Sequence, residues 1–393
     1  LFIVCLFLGL YRIWWYTIYE VPYGYDPGFF RYAIEWAIRV LPALPVGSEP
    51  FLPYHEPLFP ILAVILTFIG FTPDTIIWPF LGFLSVFTAF CVYFLAKQSH
   101  NRIVWYIAAS IFLLSIVQYQ EYWWNYWRNI VWGILLLTTL ALAVKKSPLL
   151  LLTLAGTLTI HRASGLYLII VLGILCIVEC LKEKKITWKL IGYICAGWLI
   201  ALPLYARELS VITDMLTPLT TTFWSSSMSG TFFTSEEFFF LVLPYLIIVL
   251  PALYKKIDTQ QYDALCIWFL VGLVWSIFRL FFYNRMFVFF DIFLILMAAY
   301  ALSMILATTH KWLAYGSVSI FFLVQGYLYT THATNYISRH SISREEFDII
   351  ENLDILIPTD STILSTHRFY TPWLLGYSKM RTLAPWLLAD QIW

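Results

Sequence analysis

Charge is scarce in this chain. Asp, Glu, Lys and Arg make up only 12% of its 393 residues, about half the share of an ordinary soluble domain. The formal net charge is +1, which excludes the broad basic field that a nucleic-acid partner requires. There is no Walker loop and no G-x-G-x-x-G turn, so nothing cradles a nucleotide or a nucleotide-sugar. The six cysteines (Cys5, Cys91, Cys176, Cys180, Cys195, Cys266) all sit in apolar runs. They show neither zinc spacing nor a disulfide framework and read as small core residues. Internal repeats and low-complexity tracts are lacking too. The chain opens at Leu1 and stops after Gln391-Ile392-Trp393, as a portion of a longer polypeptide would.

What is abundant is apolar and aromatic. Hydrophobic residues account for 61%, aromatics for 19%, with 18 Trp and 26 Tyr, and the mean hydropathy is +0.77. Such amphipathic rings collect where membrane meets water. The expected fold class is therefore an all-α polytopic membrane protein. Apolar runs lie at 1–19, 75–96, 103–118, 130–144, 149–160, 165–180, 191–206, 238–253, 264–278, 286–308 and 312–330, eleven candidates for transmembrane helices. A twelfth, 57–71, is short and opens among prolines.

Basic residues set the orientation, because cytoplasmic loops collect Lys and Arg. With the N-terminus inside and 57–71 re-entrant or lying on the surface, Lys97/Arg102, Lys145/Lys146, the Lys182, Lys184, Lys185 and Lys189 cluster, Lys255/Lys256 and Lys311 all face the cytoplasm. If 57–71 crossed, every later basic loop would flip outward. Loops 21–56, 119–129, 207–237 and 281–285, with the tail after residue 330, are then extracytoplasmic. This divides the chain into a transmembrane domain, 1–330, and an incomplete outer C-terminal region, 331–393. In that region Ser343-Arg344-Glu345-Glu346 is a capping box that opens a helix. Thr362-Ile363-Leu364-Ser365-Thr366 reads as a strand after the turn at Pro358-Thr359-Asp360, the start of a small α/β unit.

The outer loops hold the chemistry. The first runs Tyr23-Gly24-Tyr25-Asp26-Pro27-Gly28-Phe29-Phe30-Arg31-Tyr32 and leads into an amphipathic interfacial helix. Asp26 either caps that helix or serves chemistry. The second is an aromatic stretch carrying Glu121, Arg128 and Asn129. If it is helical, Glu121, Asn125 and Arg128 share a face, and Glu121 with Arg128 reads either as a structural pair or as part of a site. Between two basic loops, His161-Arg162-Ala163-Ser164-Gly165 interrupts an apolar stretch. Each half is too short to span ~30 Å of hydrocarbon, which predicts a recessed tip. Cations at membrane depth are a functional-site hypothesis. Arg279 and Arg285 flank another outer turn. Arg12 and Asp291, both inside apolar runs, read as a structural pair. Outer acids with recessed cations suit an anionic, lipid-linked substrate, since Arg grips phosphate with a bidentate fork. A nearby carboxylate can activate an acceptor or hold a divalent cation.

The layout resembles the GT-C glycosyltransferases, multispan enzymes that use polyprenyl-phosphate or polyprenyl-diphosphate sugar donors. Tyr25-Asp26-Pro27 with Arg31-Tyr32 looks like the acidic motif of their first outer loop. His55-Glu56-Pro57-Leu58 is similar to the His-Pro-Pro-Leu element of protein O-mannosyltransferases, with Glu56 in place of a proline. Glu121 stands where a second acid is common, but the Asp-x-Asp of oligosaccharyltransferase catalytic subunits is not there. Thr234-Ser235-Glu236 resembles the Ser/Thr-x-x-Glu motif of those subunits. Trp373-Leu374-Leu375-Gly376-Tyr377 resembles their Trp-Trp-Asp-Tyr-Gly acceptor motif without its Asp.

The resemblance implies a transferase that moves a sugar or glycan from a lipid-linked donor to a protein, lipid or glycan acceptor. The active site would be extracytoplasmic, in the plasma membrane of a prokaryote rather than the endoplasmic reticulum. Asp26 and Glu121 are the expected catalytic carboxylates and the expected ligands of a divalent cation, Mg or Mn. Arg128, His161, Arg162 and Arg285 are the expected cationic ring for the donor phosphate, with His55, Glu56 and Glu236 on the acceptor side. Membrane lipids are expected partners. Two rival functions remain: a flippase or transporter for a lipid-linked glycan, which also needs central cations and broken helices, and a non-catalytic scaffold subunit of a glycosyltransferase complex.

Overall fold

A computed structural model describes residues 2–18, 21–22, 24, 26–40, 58–98, 100–123, 127–160, 162–184, 186–205, 233–259, 263–280, 283–308, 310–340, 342–365 and 370–383. The described chain is almost wholly helical. Its helices are α1 (Phe2–Thr17), α2 (Pro27–Val40), α3 (Leu58–Phe68), α4 (Pro73–Ile77), α5 (Pro79–Ala96), α6 (Arg102–Leu113), α7 (Ile116–Trp123), α8 (Trp127–Val144), α9 (Leu150–Ile160), α10 (Arg162–Glu183) and α11 (Trp188–Tyr205). After them come α12 (Ser235–Asp258), α13 (Ala264–Ile277), α14 (Tyr283–Leu306), α15 (Lys311–His340), α16 (Arg344–Glu351), α17 (Leu353–Leu356) and α18 (Thr371–Tyr377). Two three-residue strands, β1 (Thr362–Leu364) and β2 (Arg381–Leu383), pair in parallel with Ile363 opposite Thr382.

Among the described residues, four helices are long and apolar enough to cross a bilayer: α5, α8, α12 and the Met286–Leu306 part of α14. Helices α6 and α7 pass the same test only as a pair, bent by 50° between them, the geometry of a broken span or of a re-entrant loop. Four shorter apolar helices, over Phe2–Thr17, Leu150–Ile160, Trp188–Pro203 and Ala264–Ile277, accompany them. The protein is an integral membrane protein built on an all-α bundle.

Helix α14 is the bundle's axis. It packs against α12, α13, α6, α7 and α15, and 78% of its apolar window is buried inside the protein. Lipid offers no hydrophobic drive between helices, so close backbone approach must supply the contact. Gly272 on α13 does this, since a Cβ there would meet the Phe290 ring at 2.5 Å. Large apolar side chains such as Phe7, Phe90, Phe240, Ile247 and Leu323 remain exposed, which lipid tails would cover.

Three local expectations meet different backbone. The aromatic loop 119–129 is not a loop over residues 119–123: these belong to α7 and are buried throughout. Glu121 belongs to α7 and Arg128 to α8, while Asn125, the middle residue of the expected shared face, lies outside the described residues. Residue 161 lies outside the described residues, and the helices on either side of it are unequal. Helix α9 has 11 residues and α10 has 22, or ~16 Å and ~33 Å at 1.5 Å per residue. Only α9 is too short to span. Helix α15 runs past residue 330 to His340 without interruption.

The C-terminal unit follows its sequence signals closely. The Ser343 hydroxyl accepts from Glu346 N–H, and the Glu346 carboxylate accepts from Ser343 N–H, completing the capping box. Glu346 also accepts from Tyr370 OH at 2.5 Å. These bonds, Tyr370's first, hold its carboxyl below the usual carboxylate range.

Candidate active site

Glu121 lies on α7, and the short helix is anchored on every side. Arg12 of α1, fully buried, donates from Nη1 to the carbonyls of Leu113 (3.4 Å) and Ser115 (3.2 Å), and from Nε to Ser85 Oγ (3.2 Å). Its guanidinium stands 5.2–5.8 Å from the ring centres of Tyr16, Tyr119, Tyr122 and Tyr329, a desolvated cation–π cage. Gln325 of α15 donates to the Leu114 carbonyl at 3.1 Å. Tyr16 OH donates to the Tyr119 carbonyl at 3.2 Å, and Tyr122 OH pairs with Thr88.

On the opposite side stands Asp291 of α14, also fully buried. Its Oδ2 accepts from Ser115 Oγ at 2.8 Å and from Gln118 Nε2 at 3.0 Å, and its Oδ1 accepts from Tyr245 OH. Gln118 Nε2 reaches the Val288 carbonyl as well, at 2.7 Å. The expected Arg12–Asp291 pair therefore does not form as a direct ion pair. Each charge is met by neutral dipoles instead, though Arg12 Nη2 has no hydrogen-bond partner among the described residues, and Ser115 touches both: its carbonyl accepts from Arg12 and its hydroxyl donates to Asp291.

Glu121 itself is 3% exposed, and its Oε1 has no hydrogen-bond partner among the described residues. A buried carboxylate oxygen left open is costly in a bilayer and marks a place where a ligand, proton or cation can be received. The described residues contain no group of three or more His, Cys, Asp or Glu able to hold a metal. A cation at Glu121 would need ligands from elsewhere, of which Asp26 is the expected one.

A second construction joins the start of α2 to the C-terminal unit. Asp26 is half-buried at the start of α2, and its carbonyl accepts from Phe30 N–H at 3.0 Å. One turn on, Arg31 donates to the Gly376 carbonyl, pairs with Asp74 at 2.9 Å and Glu35 at 3.1 Å, and lies 4.8 Å from the centre of the Tyr377 ring. Burial pushes the Tyr377 phenol well above its ordinary range, so Arg31 stacks on a neutral ring. Helices α2 and α18 touch backbone to backbone at two glycines. A Cβ on Gly28 would lie 2.7 Å from Pro372 C and 2.9 Å from Trp373 Cα, and one on Gly376 would lie 2.5 Å from Gly28 C. Two motif segments about 345 residues apart thus form one surface at the outer loop.

Of the other expected site residues, Arg128 is half-buried at the second position of α8. Glu236 is exposed in the first turn of α12, whose N-cap is Thr234, accepting from Glu237 N–H at 3.1 Å. Arg162 opens α10 and Arg285 lies in the first turn of α14. Their side chains, and His55, Glu56 and His161, lie outside the described residues. The anchors Ser115, Gln118, Tyr245 and Gln325 were missed. Their signal was polar side chains within apolar runs, which on a lipid face would have no partner.

No family model matches the chain, and no curated protein matches it in sequence. Its fold has close counterparts among solved structures. The apo oligosaccharyltransferase of Archaeoglobus fulgidus superposes with a TM-score of 0.70 at 13% identity, covering 97% of this chain and 64% of that one. The same archaeal enzyme, AglB, in complex with an inhibitory peptide and a dolichol-phosphate gives 0.66 at 13% identity, with 97% and 64% covered. Its complex with Zn and sulfate gives 0.64 at 12% identity, with 97% and 62% covered. The chain thus spans less than two thirds of the length of the proteins whose GT-C fold it resembles.

Proposed function

We propose that this chain, carrying the fold of an archaeal oligosaccharyltransferase, is a membrane glycosyltransferase that takes a sugar or glycan from a polyprenyl-phosphate-type donor on the extracytoplasmic side. The observation that carries the reading is the buried Glu121 carboxyl within that fold, whose Oε1 has no hydrogen-bond partner among the described residues. The neighbour bound to a peptide and a dolichol-phosphate makes a lipid phosphate donor and a peptide acceptor the first candidates here. Eleven crossings, a cytoplasmic N-terminus and the plasma membrane of a prokaryote complete the proposal.

In the reaction, an acceptor oxygen or nitrogen attacks the anomeric carbon. The bond from that carbon to the carrier's phosphate oxygen breaks, and its electron pair leaves with the phosphate. One displacement inverts the anomeric centre. Asp26 orients the acceptor and takes its proton, and Glu121 assists from the bundle side. Arg128, Arg162 and Arg285, with His161, hold the departing phosphate as its charge grows. Asp26 and Glu121 would hold a divalent cation, which would supply Lewis-acid polarisation. His55, Glu56 and Glu236 border the acceptor.

The 50° bend of the α6–α7 span favours one other reading, a transporter of a lipid-linked glycan, because broken helices also build transport sites. Purified protein in vesicles, given a labelled polyprenyl-phosphate sugar and acceptor peptides, separates the two. Transfer of label with release of carrier phosphate, lost in Asp26→Asn and Glu121→Gln, supports the transferase. Movement of label across the vesicle without chemistry makes it a transporter. Neither result leaves a scaffold.

A further inference from the structure

We propose that Arg12 and Asp291 are positioning residues: together they hold the α6–α7 span broken and so fix where Glu121 stands. This rests on Glu121 being the reacting carboxylate proposed above.

The argument starts from the backbone. A helix that stops leaves its last four carbonyls without helical donors, and the next one leaves its first four N–H groups without acceptors. In water both sets are hydrated, but inside a bilayer they must be met by protein. At this break the carbonyls of residues 110–115 all find donors. The carbonyls of Ser110, Ile111 and Phe112 are met locally by Leu114 and Ser115 N–H. The next three, Leu113, Leu114 and Ser115, each receive a side-chain donor from another helix: Arg12, Gln325 and Arg12 again. On the far side Ser115 Oγ accepts from Gln118 N–H at 3.2 Å, capping α7. It also donates to Asp291.

The charges are placed as the helix dipoles require. The cation lies at the C-terminal end of α6 and the anion at the N-terminal end of α7, the favourable end for each. This explains why two opposite buried charges stay apart: each neutralises a helix end, and a direct Arg12–Asp291 pair would leave both ends bare. Alone, a fully buried arginine in a 16-residue apolar helix has no structural reason to be there. Placed against an opened helix, it has one.

Glu121 follows Gln118 by three residues, so the two are neighbours on the α7 surface. Gln118, Tyr119 and Tyr122 are each tied to another helix. Glu121 Oε1, by contrast, has no hydrogen-bond partner among the described residues. The clamp thus spends its hydrogen bonds on the helix and none on the acid. Straightening the span would rotate Glu121 away from its present direction while leaving it on the same chain.

The test uses the full-length protein in detergent or vesicles with two readouts. The first is modification of Glu121 by a hydrophobic carbodiimide, which labels buried protonated carboxyls and is located by peptide mass spectrometry. It does not depend on transfer. The second is the split of transfer kinetics into kcat and KM. Arg12→Lys, which loses the Nε bond to Ser85 and the planar cation among the tyrosine rings, and Asp291→Asn, which keeps the shape, should each change the Glu121 labelling rate at least tenfold and move its pH midpoint. Both should lower kcat about tenfold or more with donor KM within twofold. Gln325→Ala, a neutral change at the same break, should do the same more weakly and serves if the charged variants fail to fold. Unchanged labelling and kcat in folded variants overturn the proposal. So does a loss confined to KM. Normal labelling shifts in a protein without any transfer would preserve the clamp and remove the proposed function instead.

Discussion

Gly28→Ala is the sharpest probe of the junction between the outer loop and the C-terminal unit. The new methyl carbon would stand 2.7 Å from Pro372 C and 2.9 Å from Trp373 Cα, both backbone atoms that no rotamer change can move. Restoring ordinary contact requires α2 and α18 to separate by roughly 0.5–1 Å, a gap that forfeits about a quarter to a half of each dispersion well across it. Overpacking of this kind costs about 1–3 kcal/mol. The loss should be local, because α18 is attached through this face and through Phe347, whose ring meets Trp373 and Tyr377. Amide exchange over Thr371–Tyr377 should therefore accelerate by roughly 5- to 150-fold, while protection in α14 stays as it was. Gly376→Ala meets the same interface from the other side and should match it. The double variant should fall well short of the sum, because both changes open one gap. Unchanged exchange at residues 371–377 in folded Gly28→Ala would refute the backbone contact and the joined surface built on it.

Arg31→Ala should loosen the same segment by about 1 kcal/mol, since its exposed ion pairs count for little and the Gly376 bond and ring contact for most; exchange over Thr371–Tyr377 checks it. Glu121→Gln should leave the melting temperature unchanged, because Oε1 has no bond to lose, while lowering transfer about a hundredfold or more; a large melting shift with normal transfer would reverse that assignment. His100, in the turn between α5 and α6, is held at about 4, below its usual 6.5, first by burial and then by the Lys256 ammonium, against the opposing Asp263. The unfolded chain takes up this proton more readily, so stability is complete above pH 6.5 and declines as pH falls towards 4; melts of His100→Asn against the parent across that window should show the slope reduced. Cysteines at Ser48 and Ser99 should label from opposite sides of the membrane, as the basic loops require; labelling from one side sinks the topology.

The sequence was most legible where the rule is local. The capping box at Ser343 needs only four residues to be read, and it is present with both bonds. The apolar runs marked the bundle because burial in lipid acts on composition. The reading went wrong where a helix breaks inside the membrane. Residues 119–123 look like an interfacial aromatic belt, since their partners (Thr88, Arg12, Tyr16, Tyr329) are distant in sequence and no local spacing records them. Arg12 and Asp291 were recognised as paired, yet the pairing runs through Ser115, which nothing in their own surroundings indicates. The likeness of Trp373–Tyr377 to an acceptor motif was visible, but its docking on Arg31 was not, because a glycine pair that permits backbone contact looks like any other two glycines.

Arg12 also sets a clock on biosynthesis. Its carbonyl acceptors lie 101 and 103 residues further along the chain, and ribosomes add about 5–20 residues each second. The first helix therefore leaves the ribosome with its guanidinium unmet for roughly 5–20 s. During that interval a helix with an unmet arginine has little reason to settle in hydrocarbon alone. It must wait at the edge of the translocation channel or at the lipid headgroups, held there until α6 and α7 arrive. Membrane integration of this protein is then an assembly in which the first span enters together with the fifth and sixth helices after it, and a nascent chain halted before Ser115 should be extractable from the membrane where one halted beyond Trp123 is not.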